Sequence, residues 1–361
     1  MDQSAILRHL AALVACDTQN PPRHITGDSP IMGYCRDAVG SGFEVEVHDH
    51  GDGHVSFYAV RGRPHVLFNV HLDTVPCGTG WTGDPLNLEV HDGRATGRGA
   101  CDIKGAAACL LALAESRPDA MALLFTTDEE GAQGVCVEEF CELGWAGQYS
   151  QVVVAEPTNC EAILGHRGFM SVAGRFEGVP GHSSEVRALR DNAIHHAALW
   201  AQAALELAAG RNESSLHSAT CFNIGRIEGG TANNVIAGEA IVRWSARLRP
   251  GSSNQDFLEE IKACSPAGIA VDWEADHDGE PLPASGQNDR QARAFAIASG
   301  VGIAEDVDFW TEASIFSKYG IPALVLGPGH IAQAHIKDEW VELAQLAQAC
   351  EFYGRIISND R

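Results

Sequence analysis

Lys104-Gly-Ala-Ala-Ala-Cys-Leu-Leu-Ala-Leu-Ala-Glu115 leads, after a short polar link, into Met121-Ala-Leu-Leu-Phe-Thr-Thr-Asp-Glu-Glu-Gly131. The first part spells an Ala/Leu-rich helix, and Met121–Phe125 is the short apolar run expected of a strand buried on both faces. The same alternation recurs around it. Ile6–Val14 has amphipathic helical spacing, and Val66-Leu-Phe-Asn-Val70 and Val152–Ala155 are further buried-strand runs. Strands alternating with helices predict an α/β layer with a mainly parallel sheet.

The pattern changes after Gly168. Strands are predicted over Phe169–Glu177, Thr220–Ile227, Ala240–Leu248 and Ile269–Trp273, with helices over Asn192–Ala209 and Asn254–Ala263. This β-α-β-β-α-β order is the ferredoxin-like split unit. The α/β pattern then resumes with a helix over Asp289–Ser299, a strand over Ala323–Leu326 and a helix over Val341–Ile356. We therefore expect one domain built from residues 1–167 plus 284–361, interrupted by a small α+β domain over 168–283. A chain of 361 residues is long enough for both cores.

Composition narrows the function. A net charge of −23 disfavours partners held by phosphate contacts, so neither nucleic acid nor an anionic membrane is expected. No apolar run is long enough to span a bilayer, and Met1–Arg8 does not read as a secretion signal, which places the chain in the cytoplasm as an expectation. Its 11 cysteines contain no Cys-x-x-Cys pair, so a metal would be held by His, Asp and Glu. Cys101, beside Asp102, reads as a small buried thiol rather than a nucleophile.

The chemistry lies where strands end. His71 and Asp73 follow the strand at Val70 and, two residues apart, share a face, so the carboxylate can hold one imidazole nitrogen while the other binds a metal. Asp102 lies in Gly97-Arg-Gly-Ala-Cys-Asp-Ile-Lys-Gly105, at the turn into the Lys104 helix. The glycines suggest a dinucleotide loop, but Asp102 takes the place of the third glycine, which weakens that reading. Glu129 and Glu130 follow one strand, Glu156 another, and His335 follows the strand ending at Leu326. Two adjacent acids or a lone histidine would ordinarily be solvated or structural. Five potential ligands beyond buried strands converge on one sheet edge, where α/β folds bind ligands.

Two histidines and three carboxylates suit Zn²⁺ or Co²⁺ and tolerate Mn²⁺. A carboxylate bridging two ions is the co-catalytic arrangement. Glu130 can then be a ligand while Glu129 serves as general base, if the backbone turns between them, as Gly131 permits.

The set His71-Leu-Asp73, Gly99-Ala-Cys-Asp-Ile-Lys-Gly105, Asp128-Glu129-Glu130, Glu156-Pro-Thr158 and His335 resembles the metallopeptidase and deacylase family of acetylornithine deacetylase, succinyl-diaminopimelate desuccinylase and the G2-type carboxypeptidases. The resemblance extends over essentially the whole chain. It implies one or two Zn²⁺ or Co²⁺ ions, one held by His71 and Glu156, the other by Glu130 and His335, with Asp102 bridging. Asp73 would orient His71, and Glu129 would be the general base and later the proton donor. The inserted domain would be a lid and dimerisation domain. In it, His182 of Gly181-His-Ser-Ser184 would reach the site of a partner subunit in a homodimer, and Asn234 and Arg247 would bind the substrate carboxylate. The chain departs from the family's common pattern at Ala237, where proline often follows the Val-Ile pair, and at Val179-Pro180 before the lid histidine.

Thr311-Glu-Ala-Ser-Ile-Phe316, Gly327-Pro-Gly329 and Ala332-Gln-Ala-His335 are similar to the acetylornithine deacetylase branch. Asn20-Pro-Pro-Arg23, His166-Arg-Gly168 and Phe222-Asn-Ile-Gly-Arg226 are similar to its acetylcitrulline variant. The implied substrate is a small N-acyl amino acid of arginine biosynthesis, N-acetyl-L-citrulline or N-acetyl-L-ornithine, with acetate released. The rival readings are a desuccinylase, a dipeptidase or carboxypeptidase, and a catalytically silent metal-binding protein.

Overall fold

The computed structural model describes residues 3–22, 24–131, 134–211 and 220–360. Arg23, one of the residues noted above, lies outside them. The chain divides into two compact units, one of residues 1–165, 283–306 and 311–361, the other of residues 166–282 and 307–310.

The first unit begins with α1 (Gln3–Val14), α2 (Pro30–Val39), β1 (Glu44–Asp49), β2 (Val55–Arg61), β3 (Val66–His71), β4 (Glu89–His91) and β5 (Arg94–Thr96). It continues through α3 (Lys104–Ser116), β6 (Met121–Thr126), α4 (Val135–Glu142) and β7 (Gln151–Val154). Among the described residues its main sheet has the order β1-β2-β6-β3-β7, completed at the far edge by a strand from the C-terminal part of the chain. Strands β6, β3 and β7 are parallel, whereas β1 and β2 form an antiparallel edge. All six side chains of β3 and of β6 are buried, because helices cover both faces of the sheet. Helix α3 is buried from Lys104 to Ala114, as its small and apolar residues on every side require.

The second unit contains β8 (Phe169–Glu177), β9 (Gly181–His182), α5 (Ala193–Gly210), β10 (Cys221–Gly229), β11 (Val235–Ile236), β12 (Glu239–Arg247), α6 (Asn254–Ala263) and β13 (Val271–Gly279). Its antiparallel sheet has the order β10-β12-β8-β13, which is the ferredoxin-like arrangement expected. Burial alternates along β8 and β12, and the inward face packs Phe176 and Trp244 against Trp200 of α5 and Phe257 of α6. The side chain of Asn192 caps α5 and that of Ser253 caps α6. Strand β13 runs six residues beyond the expected end at Trp273, its residues 274–278, polar apart from Ala275, lying on an exposed edge strand with a bulge between Ala275 and His277.

The first unit is completed by α7 (Gly286–Ala298), α8 (Ala313–Lys318), β14 (Ala323–Val325), β15 (Trp340–Glu342) and α9 (Leu343–Asn359). β14 adds to β7 in parallel, so the carboxyl ends of β6, β3, β7 and β14 share one edge. That edge is where the candidate site forms.

Candidate metal centre

Strand register sets the site. Asn69 pairs with Val154 and His71 with Thr126, so extending the ladders brings Glu156 level with His71 and puts Glu130 just past it. Asp102 arrives from the loop into α3, and His335 from the segment after β14. The loop is tight at two glycines. Gly99 has φ +81, and a Cβ at Gly105 would stand 2.6 Å from the Ala100 carbonyl oxygen.

Two triads result. Nε2 of His71 lies 3.2 Å from Oδ1 of Asp102 and 3.6 Å from Oε1 of Glu156. Nε2 of His335 lies 3.1 Å from Oδ2 of Asp102 and 3.1 Å from Oε2 of Glu130. Each triad has its donor atoms within 4.8 Å of one another, a spacing that could hold a metal ion. Asp102 belongs to both, presenting one carboxylate oxygen to each. His71, Asp102 and Glu156 are buried, and Glu156 Oε1 has no hydrogen-bond partner. A buried carboxylate oxygen that accepts no hydrogen bond, beside an imidazole and a second carboxylate, suits a divalent cation. His335 adopts a left-handed φ of 61°, the kind of backbone strain that concentrates at functional positions.

The site is braced by residues around it. Nδ1 of His71 lies 3.1 Å from the main-chain carbonyl of Asp73 and 3.4 Å from its carboxylate. The Asp73 carboxylate also accepts from Asn20 Nδ2 at 2.9 Å and from the Glu130 main-chain N–H at 3.1 Å, so it ties β3 to the Glu130 loop. Behind that loop, buried Asp128 contacts His54 at 3.0 Å and accepts from the Cys136 N–H at 3.0 Å. Glu312 is fully buried, accepts from Thr126 Oγ1 at 3.1 Å, and is pushed up to about 8 by burial and then by Asp128. Asn20, Asp128 and Glu312 lie within motifs quoted from the sequence but have no role assigned there, and His54 is not singled out.

Crowded charges shift the titrating groups. Burial, then Glu156, Glu130 and Asp102, push the half-buried Glu129 well above the usual carboxylate range, against His71. Burial also raises Glu130, and it pushes Glu156 up to about 7. Burial acts to raise Asp102 as well, but hydrogen bonds from His335 and His71 outweigh it and hold the group low. Burial opposes a charge on His71, yet Glu156, Asp102 and Asp73 raise it well above its ordinary value. His335 is raised to about 11 by its bonds to Asp102 and Glu130.

The remaining candidates lie in the second unit. β9 and β11 pair His182 with Val235, and the Ser183 N–H donates to the Asn234 carbonyl at 3.0 Å, bringing His182 and Asn234 onto one ribbon. His182 is exposed, with Nδ1 2.8 Å from Ser184 Oγ. Arg247, at the end of β12, stacks its guanidinium 4.0 Å from the Phe169 ring centre.

A model of Peptidase family M20/M25/M40 matches residues 67–359. The chain belongs to that family. It is 44% identical over 367 aligned positions to N-acetyl-L-citrulline deacetylase of Xanthomonas campestris, covering 98% of each chain. It is 31% identical to acetylornithine deacetylase of Myxococcus xanthus, over 96% of this chain and 95% of that one. Among solved structures, aminopeptidase PepT of Bacillus cereus superposes with a TM-score of 0.70 at 19% identity, over 99% of this chain and 98% of that chain. The fold is thus shared well beyond sequence similarity. As a member, the chain is a hydrolase, and the family's cofactor class is divalent metal ions, for which the two triads are the candidate residues.

The protonated groups of this family site imply a pH dependence. Without metal, His71, His335 and Glu156 hold protons beyond their ordinary ranges, which a cation entering the two triads would displace. Apparent affinity therefore rises with pH, first as the solution passes about 7 at Glu156 and further towards about 11 at His335. Calorimetric Zn²⁺ titrations of chelator-stripped protein at several pH values, in buffers of different ionisation enthalpy, should show proton release and tighter binding at higher pH. PH-independent affinity without proton release would contradict this.

Proposed function

We propose that the chain hydrolyses the acetyl amide of N-acetyl-L-citrulline, releasing acetate and the free amino acid, with N-acetyl-L-ornithine as its nearest alternative substrate. The observation that carries the reading is 44% identity to N-acetyl-L-citrulline deacetylase across 98% of both chains. The acetylornithine deacetylases at 29–31% support the same chemistry on the related amino acid.

We assign His71 and Glu156 to one ion, Glu130 and His335 to the other, and Asp102 to both. Zn²⁺ or Co²⁺ fits this nitrogen and carboxylate donor set. When bound, such an ion polarises the acyl carbonyl and acidifies water. Glu129 takes a proton from the attacking water as its oxygen adds to the carbonyl carbon. The same carboxyl then delivers that proton to the amide nitrogen as the C–N bond breaks. Its raised proton affinity suits a group that must take up a proton and give it back. Asp73 keeps His71 and the Glu130 loop in place.

From the second unit we assign His182 to the oxyanion and Asn234 and Arg247 to the substrate carboxylate. The planar guanidinium of Arg247 can pair with a carboxylate through two parallel hydrogen bonds. The resemblance to the family also supports a homodimer. We place the enzyme in the cytoplasm, a reading supported by free thiols such as those of Cys35, Cys101 and Cys136. No described helix is long and apolar enough to cross a membrane.

The substrate assignment is tested by comparing kcat/KM on N-acetyl-L-citrulline, N-acetyl-L-ornithine, N-succinyl-diaminopimelate and a dipeptide. N-acetyl-L-citrulline should be the best of the four. Faster turnover of the succinylated compound or the dipeptide would overturn the assignment.

A further inference from the structure

The ligands of the two triads are held in different ways. His71 ends β3 and is paired with Thr126 of β6, and Glu156 lies two residues past β7, whose register with β3 is continued by the Ala155 N–H donating to the Asn69 carbonyl at 2.9 Å. Asp102 and His335 both come from loops, and one buried carboxylate joins those loops. Oε1 of Glu339 accepts from the main-chain N–H of Cys101 at 2.9 Å and of Asp102 at 3.0 Å. Its Oε2 accepts from the Gly99 N–H at 3.1 Å and from Arg98 Nη1 at 2.6 Å. Glu339 thus binds the backbone of the shared ligand Asp102 while lying four residues after the ligand His335.

The surroundings tighten this link. The Gly97 N–H donates to the Glu339 carbonyl at 2.9 Å, and β15 pairs with β5 immediately afterwards. Asp338, the preceding residue, accepts from the N–H and hydroxyl of Thr82 at 2.7 and 2.9 Å. Arg98 lies over the ring of Trp81 at 5.1 Å. Both members of the Arg98–Glu339 pair are nearly inaccessible, with side-chain exposures of 3% and 1%, so the pair is dry and its geometry specific.

We propose that Glu339 is a positioning residue of the metal centre, locking the Asp102 loop to the His335 segment and thereby setting cation affinity at the Asp102-Glu130-His335 triad. The inference rests on the reading of the two triads as metal sites. The His71-Asp102-Glu156 triad depends on it less, because His71 is held in the sheet by its pairing with β6 and Glu156 follows directly on β7. In Glu339→Gln the amide NH₂ must face either the Cys101 and Asp102 N–H groups or those of Gly99 and Arg98. Donor then meets donor and the loop shifts. Glu339→Asp keeps the charge beside Arg98, which protects folding, but is one methylene short of the loop amides.

The test is Co²⁺ titration of chelator-stripped wild type and both variants, following the visible absorption of bound Co²⁺ and the number of ions retained after gel filtration. Wild type should take up two ions. Each variant should keep one tightly and bind the second roughly 10–100-fold more weakly, the usual range for groups that orient metal ligands. Two ions at wild-type affinity in both variants would overturn the inference and leave the metal reading intact. Equal weakening of both ions would overturn the assignment to one triad. A wild-type protein that binds fewer than two ions would overturn the two-triad reading and this inference with it.

Discussion

Glu129→Gln should lower kcat by about 10²–10⁴-fold while metal content and KM stay near wild type, the loss typical of a missing general acid–base group. Glutamine matches glutamate in size and still accepts hydrogen bonds, but it cannot take the proton from attacking water or return it to the leaving nitrogen. Metal uptake should be unchanged because neither triad includes Glu129. The substitution also removes a carboxyl whose burial and acidic neighbours raise its proton affinity, so folding should not suffer. The check is steady-state kinetics on N-acetyl-L-citrulline beside elemental analysis of the same preparation. Turnover within tenfold of wild type at equal metal content would refute the assignment, and a matching fall in metal content would make Glu129 a ligand instead.

Asp102→Asn should be at least as damaging, through a different quantity. Each carboxylate oxygen faces the Nε2 of a different histidine, at 3.2 Å for His71 and 3.1 Å for His335. An amide can offer an oxygen to one triad only, and its NH₂ group repels a cation in the other. Binding of both ions should weaken, and kcat/KM should fall by about 10³-fold or more, since without the ions neither water activation nor general-base catalysis by Glu129 can operate. Excess Co²⁺ should restore part of the Asp102→Asn activity and none of the Glu129→Gln activity. Wild-type ion affinity in Asp102→Asn would show that Asp102 bridges nothing.

Most of the fold could be read locally. The apolar runs at Val66, Met121 and Val152 can be satisfied only between layers, and β3, β6 and β7 form there. The ferredoxin-like order emerged because β8 and β12 alternate cleanly and α5 and α6 have capping residues at their starts. Strand β1 was hidden by its own position. Glu44-Val-Glu-Val-His-Asp49 is a charged edge strand, and the antiparallel hairpin it makes with β2 leaves no helix between them to mark the change. The end of β13 was obscured in the same way by residues 274–278.

The candidate ligands could be read because each follows a strand or precedes a helix, so sequence position alone indicated the sheet edge. Their supports could not. Arg98 and Glu339 are 241 residues apart, Thr126 and Glu312 186 apart, and Asn20 and Asp73 53 apart. No periodicity links such pairs, and in sequence Glu339 is one more acid in a polar segment. The approach of His182 to Asn234 likewise depends on the β9–β11 ribbon, whose two-residue strands carry no pattern.

The most direct test of the account is the rate of acetate release from N-acetyl-L-citrulline as Zn²⁺ or Co²⁺ is returned to chelator-stripped protein. The account predicts no measurable release from the stripped protein and recovery that saturates as the two triads fill. Release that is indifferent to stripping, or absent at every metal concentration, would contradict it, the latter leaving a metal-binding protein that catalyses nothing.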